Sequence, residues 1–304
     1  MRSRTLGRSG LVVSEIGLDL HPLLDRPDDE VVDLVLRARD LDIGFFATAW
    51  SDGHPSEPGR GERLLGKAVR SFRDQVVLAT RVGYEPPPPV PARTPGTLVQ
   101  NWAVPAIRRA IDEALFRLGE PLDLLQLADP GPDALESDEL AGLLDDQVDK
   151  GNVRAWGVAF GPVPPGAPRP HEHPGDLGQI ALTERGVASV QLTYNLLRQD
   201  PGRELIAAAG TAGAGIIARQ ADAPGLLADP YTFLTRDRSQ TLRQAALRFA
   251  LQDPAVATAL PAVTDAAGLA EAAGAADLPA LTQDDLDQIA ELREDAARSE
   301  RRNA

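Results

Sequence analysis

The sequence predicts a closed (β/α)8 barrel, and three observations lead there. Eight short, continuously apolar runs recur along the 304 residues, the mark of strands buried on both faces of a parallel sheet. Segments of helical periodicity stand between them, as βαβ units require. No G-x-G-x-x-G follows the first strand, where GLDLHPLL stands instead, so an open doubly wound sheet is the weaker alternative.

The predicted strands are EIGLDL (Glu15 to Leu20), IGFFA, VVLATRV, LDLLQL, VRAWGVAF, ASVQLTY, GIIAR and VATALP. Between them the helices are DDEVVDLVLRARDL, GERLLGKAVRSF, AIRRAIDEALFRLG and SDELAGLLDDQVDKG, then shorter pieces near Leu177 and Leu205, QTLRQAALRFALQ, and AGLAEAAGAA. In AIRRAIDEALFRLG the residues Ile107, Ile111, Ala114, Leu115 and Leu118 share one helical face and Gly119 supplies the stop. SDELAGLLDDQVDKG opens on a capping Ser137 and ends at Gly151. The Pro-rich EPPPPVPARTPG after the third strand is too short for a domain linker and reads as a barrel-top loop. Residues 1–294 are expected to form one barrel domain, with residues 295–304, ending ARSERRNA, as a polar C-terminal tail.

Composition narrows the function classes. A formal charge of −14 argues against nucleic acid and membrane surfaces as partners, since both need a cationic face. The absence of cysteine removes disulfides, thiolate catalysis and cysteine-ligated metals. The amino-terminal MRSRTLGRSGLVVSEIG has no signal-type apolar core, and no window reaches the apolar length of a membrane span, so a cytoplasmic protein is expected. Of the histidines His21, His54, His171 and His173, the last two form HEH with Glu172 inside GPVPPGAPRPHEHPG. That irregular loop lacks ligand spacing, and no metal is expected.

RTLGRSGLVVSEIGL, ERLLGKAVRSFRDQVVLATRVGY, RRAIDEALFRLGEPLDLLQL, DKGNVRAWGVA, VQLTYNLL, GIIARQADAPGLL and ALRFALQDPAVATALPAV occur in the order seen in the aldo-keto reductases, and through them almost the whole chain resembles that family. The resemblance implies a TIM barrel of the aldo-keto reductase type, use of NADP(H), and hydride transfer to a carbonyl at the carboxyl ends of the strands. The family's chemistry rests on a Tyr proton donor, a Lys that lowers its pKa, an Asp that holds the Lys, and a His that orients the carbonyl. In this chain those positions fall on Asp52, Arg81, Ala47 and Ala128 respectively. None of the four matches, and the loop WSDGH holds no Tyr at any register; Tyr84, the nearest phenol, lies outside the strand end.

Asp52 and Arg81 are expected to face each other across the barrel mouth as an ion pair, both ionised, with an Arg fork bidentate to Asp52 that needs no anchor at Ala47. If Asp52 turns to solvent instead, Arg81 is free to bind a ligand carboxylate or phosphate. His54 is a candidate displaced acid and Trp50 a pocket wall. For the cofactor, the resemblance places nicotinamide contacts at Gln191 and Arg219, while Ala159 and Phe160 stand where it has a polar pair. Gly225 and Leu226 match its pyrophosphate loop, and Thr264 falls where it binds the adenosine 2′-phosphate, next to Asp265, which would repel one. The adenine-holding Asn position falls on Ala272. Gln191 and Arg219 read equally as rim residues kept for packing.

Three functions stay open. One is a degenerate barrel, a pseudoenzyme, that binds a small-molecule ligand or a protein partner. Another is an NADP(H)-dependent oxidoreductase acting on a carbonyl or alcohol through a rearranged site. The third is a non-redox lyase or isomerase with Asp52 as base and Arg81 holding a substrate anion.

Overall fold

The computed structural model describes all residues except 54–56, 86–97, 120, 162–173, 224–228, 236–238 and 304. Twelve strands run β1 (Ser3–Thr5), β2 (Val12–Ser14), β3 (Leu18–Asp19), β4 (Phe45–Ala49), β5 (Val77–Val82), β6 (Tyr84–Glu85), β7 (Val99–Gln100), β8 (Leu122–Ala128), β9 (Val153–Ala159), β10 (Ser189–Thr193), β11 (Gly215–Arg219) and β12 (Val256–Leu260). The helices are α1 (Asp28–Asp40), α2 (Arg60–Val69), α3 (Val104–Leu118), α4 (Pro132–Glu136), α5 (Asp138–Asp149), α6 (Pro174–Thr183), α7 (Gly202–Ala212), α8 (Leu242–Ala250), α9 (Ala266–Gly274) and α10 (Gln283–Asn303).

Eight of the strands form one parallel sheet in the order β12-β11-β10-β9-β8-β5-β4-β3. An isolated parallel bridge between Ile16 and Ala259 joins its two ends, with Gly17 N donating to Ala259 O at 3.0 Å and Ala259 N to Glu15 O at 2.8 Å. The sheet is therefore a barrel, as the eight apolar runs require. Successive side chains alternate between its two faces. Phe46, Leu78, Leu125 and Val158 join the large core under the helices, while Phe45, Ala47, Ala79, Leu124, Ala155 and Ile217 fill the barrel interior. The β1–β2 hairpin packs Leu6, Leu11 and Val13 into that inner cluster. The register that follows puts Asp19, Arg81, Ala128 and Arg219 at or next to the carboxyl ends of their strands.

All eight predicted strands are present within a residue or two, except that the first is confined to Leu18–Asp19 plus the Ile16 bridge. Ser137 caps α5 by accepting from Leu140 N at 3.1 Å, as expected. Two short antiparallel pairs, β1–β2 and β6–β7, were not predicted, because two- and three-residue strands leave no periodicity to detect. Residues 295–303 of the expected polar tail form the end of α10, which runs to Asn303, with a Glu294–Arg298 pair one turn apart on its surface at 2.8 Å.

Candidate functional site at the barrel mouth

Asp52 follows β4 and Arg81 is the inward residue near the end of β5, paired in register with Ala49 on one side and Gln126 on the other. Both are buried. Arg81 Nη2 donates to Asp52 Oδ2 at 2.8 Å and to Oδ1 at 3.1 Å. The predicted pair thus exists, and the alternative in which Asp52 faces solvent does not. Its geometry needs two corrections. One nitrogen serves both carboxylate oxygens, so the contact is not a two-nitrogen fork. A further carboxylate also stands where no anchor was expected: Asp19, at the end of β3, lies 3.7 Å from Arg81 Nη1 and accepts from Arg219 Nη2 at 2.9 Å.

The mouth is consequently floored by two carboxylates and two guanidiniums drawn from β3, the β4 loop, β5 and β11. His21 closes the chain of contacts at the rim, its Nδ1 3.2 Å from Asp52 Oδ1. Burial pushes the Asp52 carboxyl upward, but the Arg81 charge and the His21 hydrogen bond outweigh it, leaving a pKa lowered to about 2. The hydrogen bond to Asp52 in turn raises His21, against the opposing effect of burial. Arg219 is lowered, by burial and then by the neighbouring Arg81 charge. Arg81 is raised, since Asp52 and Asp19 overcome the burial that opposes them. A carboxylate so stabilised is a poor proton donor at neutral pH and a weak base.

Ala47 and Ala128, at the positions where the resemblance has an Asp and a His, are both buried. Ala47 lies in the barrel-interior cluster, and Ala128 belongs to a small apolar cluster with Tyr84, Leu98 and the partly buried Trp50 above the mouth. Trp50 packs against that cluster. Beside Ala128, Asp129 holds the left-handed conformation (φ 51°), which Asp tolerates better than most residues. Its Oδ1 accepts from Gly161 N at 2.9 Å and its Oδ2 from the Tyr84 hydroxyl at 3.3 Å. Burial raises Asp129 against the Gly161 hydrogen bond, and burial with the Asp129 charge raises the Tyr84 phenol. Asp19, His21, Asp129 and Tyr84 escaped the sequence reading as site residues. A charged residue inside an apolar strand at Asp19 was the available signal; Asp129, one residue past a strand end, was another.

Gln191 is fully buried on β10, and neither its amide nitrogen nor its oxygen has a hydrogen-bond partner. Backbone satisfaction by its side chain therefore does not account for it, since buried amides are ordinarily paired. A carboxamide, which offers one donor and one acceptor, fits that unmet demand. Arg219, by contrast, is committed to Asp19. Farther along, Thr264 is exposed, and Asp265 caps α9 by accepting from Gly268 N at 2.8 Å. Nearby Arg243 is neutralised by Asp222 at 3.1 Å and Glu271 at 3.2 Å. These residues do not fit an adenosine 2′-phosphate, because the helix terminus that would receive it already holds a carboxylate. Ala159 and Phe160 are buried and offer no polar side chain; Ala272 is likewise buried, in α9. His54, Gly225, Leu226 and the HEH triplet lie outside the described residues. Among the described residues no group of three or more His, Asp or Glu is arranged to hold a metal ion, and no helix is long and apolar enough to cross a membrane.

A (β/α)8 barrel with charged groups gathered at the carboxyl ends of its strands is the architecture of a catalytic or ligand-binding barrel. The chain belongs to the aldo/keto reductase family, whose sequence model matches residues 24–294. It is 35% identical over 165 residues to a 6-dehydroglucose reductase of Novosphingobium aromaticivorans, a match that covers 51% of this chain and 50% of that protein. The chain thus spans about half the length of that curated relative. Its fold is shared with the holo form of an aldo-keto reductase from Bacillus halodurans, at a TM-score of 0.80 and 22% identity with 96% of both chains covered. A Klebsiella pneumoniae aldo/keto reductase in complex with NADP and acetate superposes with a TM-score of 0.76 and 21% identity, again over 96% of each chain.

Proposed function

We propose that this chain is a ligand-binding member of the aldo/keto reductase family in which the family's proton-donating route is closed. The observation that carries the reading is the Asp52–Arg81 contact. The residue in the phenol's place is an ionised carboxylate, held by Arg81 at 2.8 and 3.1 Å, and it has no proton to give to an alkoxide near neutral pH. Gln191 supports a ligand in the barrel that presents a donor and an acceptor together, the nicotinamide carboxamide being one such group. The acidic surroundings of Thr264 favour a ligand without a phosphate at that end. The weak basicity of Asp52 counts against a lyase or isomerase that uses it as base.

One observation favours a second reading, an oxidoreductase with a rearranged site. Tyr84 places a phenol at the mouth, hydrogen-bonded to Asp129 beside the position of the lost histidine, and the curated relative is named a reductase. Titration of the purified protein with NADPH and NADH, followed by cofactor fluorescence and thermal shift, separates the cases, because ligand bound to the native state raises apparent stability. The proposal expects NADH or nicotinamide to shift the wild type but not Gln191→Leu, with no turnover of aldehydes. Saturable NADPH binding with aldehyde turnover lost in Tyr84→Phe establishes the second reading.

A further inference from the structure

On the outer wall, away from the mouth, α2 carries a ladder of cations. Arg63, Lys67 and Arg70 are exposed and recur at intervals of four and three residues, so they lie on one helical face about 10 Å long at 1.5 Å per residue. None of the three has a carboxylate partner among the described residues; Arg63 only donates to the Pro58 carbonyl. Their neighbours differ: Arg117 is answered by Glu62 and Glu113, and Arg73 by Asp123. Like charges one turn apart repel. In a chain of net charge −14 such an unanswered ladder stands out, and it borders a groove of about 490 Å³ between α2 and α3. Gly66 makes that groove, since α2 approaches so closely that a Cβ there would lie 2.2 Å from the Arg117 carbonyl oxygen. At the groove's edge Phe116 is 89% exposed.

The neighbouring helix α1 presents the complementary face. Asp29, Asp33, Leu36 and Asp40 recur at intervals of four, three and four residues and are all exposed, which gives an acidic stripe broken by a leucine. The large hydrophobics exposed among the described residues are Val12, Leu36 and Phe116; two of the three therefore lie in these two adjoining faces. Asp33 and Asp40 have only short surface bridges to Arg37 and Arg39, contacts that exchange readily because exposed pairs hold weakly. α1 and α2 lie side by side and face outward. An acidic and a basic face side by side on one surface are self-complementary under a two-fold rotation about an axis between them.

We infer that a second copy of this chain docks here, the acidic stripe of α1 lying along the α2 ladder of its partner and Leu36 reaching the Phe116 edge of the groove, the contact being made twice. The two helices, of 13 and 10 residues, are about 20 and 15 Å long at 1.5 Å per residue, so the two stripes run beside each other over most of their length. Oppositely charged faces also speed the encounter and fix its register.

The test is sedimentation velocity and light scattering on the full chain at ~50 μM in low salt, a range where a micromolar contact is populated. A dimer that weakens as salt rises and is lost in Phe116→Asp is expected. Two charge-reversed variants decide the geometry: R63E/K67E/R70E, and D29K/D33K/D40K. All six positions are exposed, and circular dichroism verifies that each variant keeps the fold. Each is expected to be a monomer alone, because its own two faces then carry the same sign. An equimolar mixture of the two is expected to restore a dimer, acid against base at both contacts. A wild-type monomer at every concentration overturns the inference, as does a dimer that survives both reversals or a mixture of folded variants that stays monomeric.

Discussion

Replacing Arg81 with methionine keeps most of the side chain's volume and removes the charge that holds Asp52. The Arg81 and Asp52 atoms approach to 2.8 Å inside a buried cluster. At an effective dielectric near 20, two unit charges centred about 4 Å apart attract by about 4 kcal/mol. Asp19 keeps its contact with Arg219 at 2.9 Å, so the loss falls mainly on Asp52, which would retain only the half-exposed His21. Stripping one partner from a buried pair costs roughly 3–5 kcal/mol, because the other charge stays buried. Arg81→Met is therefore expected to be about 3 kcal/mol less stable than wild type at neutral pH, measured by urea denaturation, which adds no salt to screen the cluster.

The pH dependence gives that prediction a second, independent sign. In the wild type Asp52 is lowered to about 2, so its contribution is present above the ordinary carboxylate pKa and is lost as pH falls toward 2. In Arg81→Met, burial of Asp52 persists without the opposing charge, and its pKa rises above the unfolded value. The variant's deficit should then shrink as acid protonates Asp52, and Asp52→Asn/Arg81→Met should be more stable than Arg81→Met alone. An Arg81→Met protein within about 0.5 kcal/mol of wild type, the usual span of a neutral surface change, and with an unchanged pH profile would refute the paired mouth.

Three other outcomes follow from the same geometry. The His21 pKa is raised by Asp52, so its contribution is full below the unfolded histidine value and lost as pH rises through the raised one; urea midpoints of wild type and His21→Ala should converge in alkali. Gln191→Leu removes two unpaired buried polar atoms and should leave stability equal or up to ~1 kcal/mol higher, while a loss of more than that would mean the amide is satisfied in solution. Gly66→Ala drives a methyl against the Arg117 carbonyl and should cost about 1–3 kcal/mol in the same denaturation assay; a neutral result would mean that α2 and α3 are farther apart than described.

The barrel was legible because each strand carries its own apolar run and each helix its own period; VVLATRV and AIRRAIDEALFRLG are local statements about burial. The Asp52–Arg81 pair was legible because both residues sit beside anchored strand ends. Asp19 was not, for its role depends on the closure of β3 against β12, which brings Arg219, 200 residues away in sequence, within 2.9 Å. Nothing local to GLDLHPLL announces that neighbour. The same holds for Tyr84 and Asp129, which meet only because β5 and β8 are adjacent, and for Gln191, whose missing partners are a property of the folded interior. The shape of the Arg81 contact was inferred from what a guanidinium can do; which nitrogens it uses was decided by the second carboxylate.

A single-turnover experiment tests most directly the proposal that Asp52, ionised in its pair with Arg81, gives no proton to a nascent alkoxide. Protein in excess of NADH, at a concentration where the thermal shift shows the cofactor bound, is mixed with a reactive aromatic aldehyde at neutral pH, and cofactor oxidation is followed against a protein-free control. The account predicts no burst, with Arg81→Met and Tyr84→Phe indistinguishable from wild type. A burst stoichiometric with bound cofactor, and lost in either variant, would contradict it.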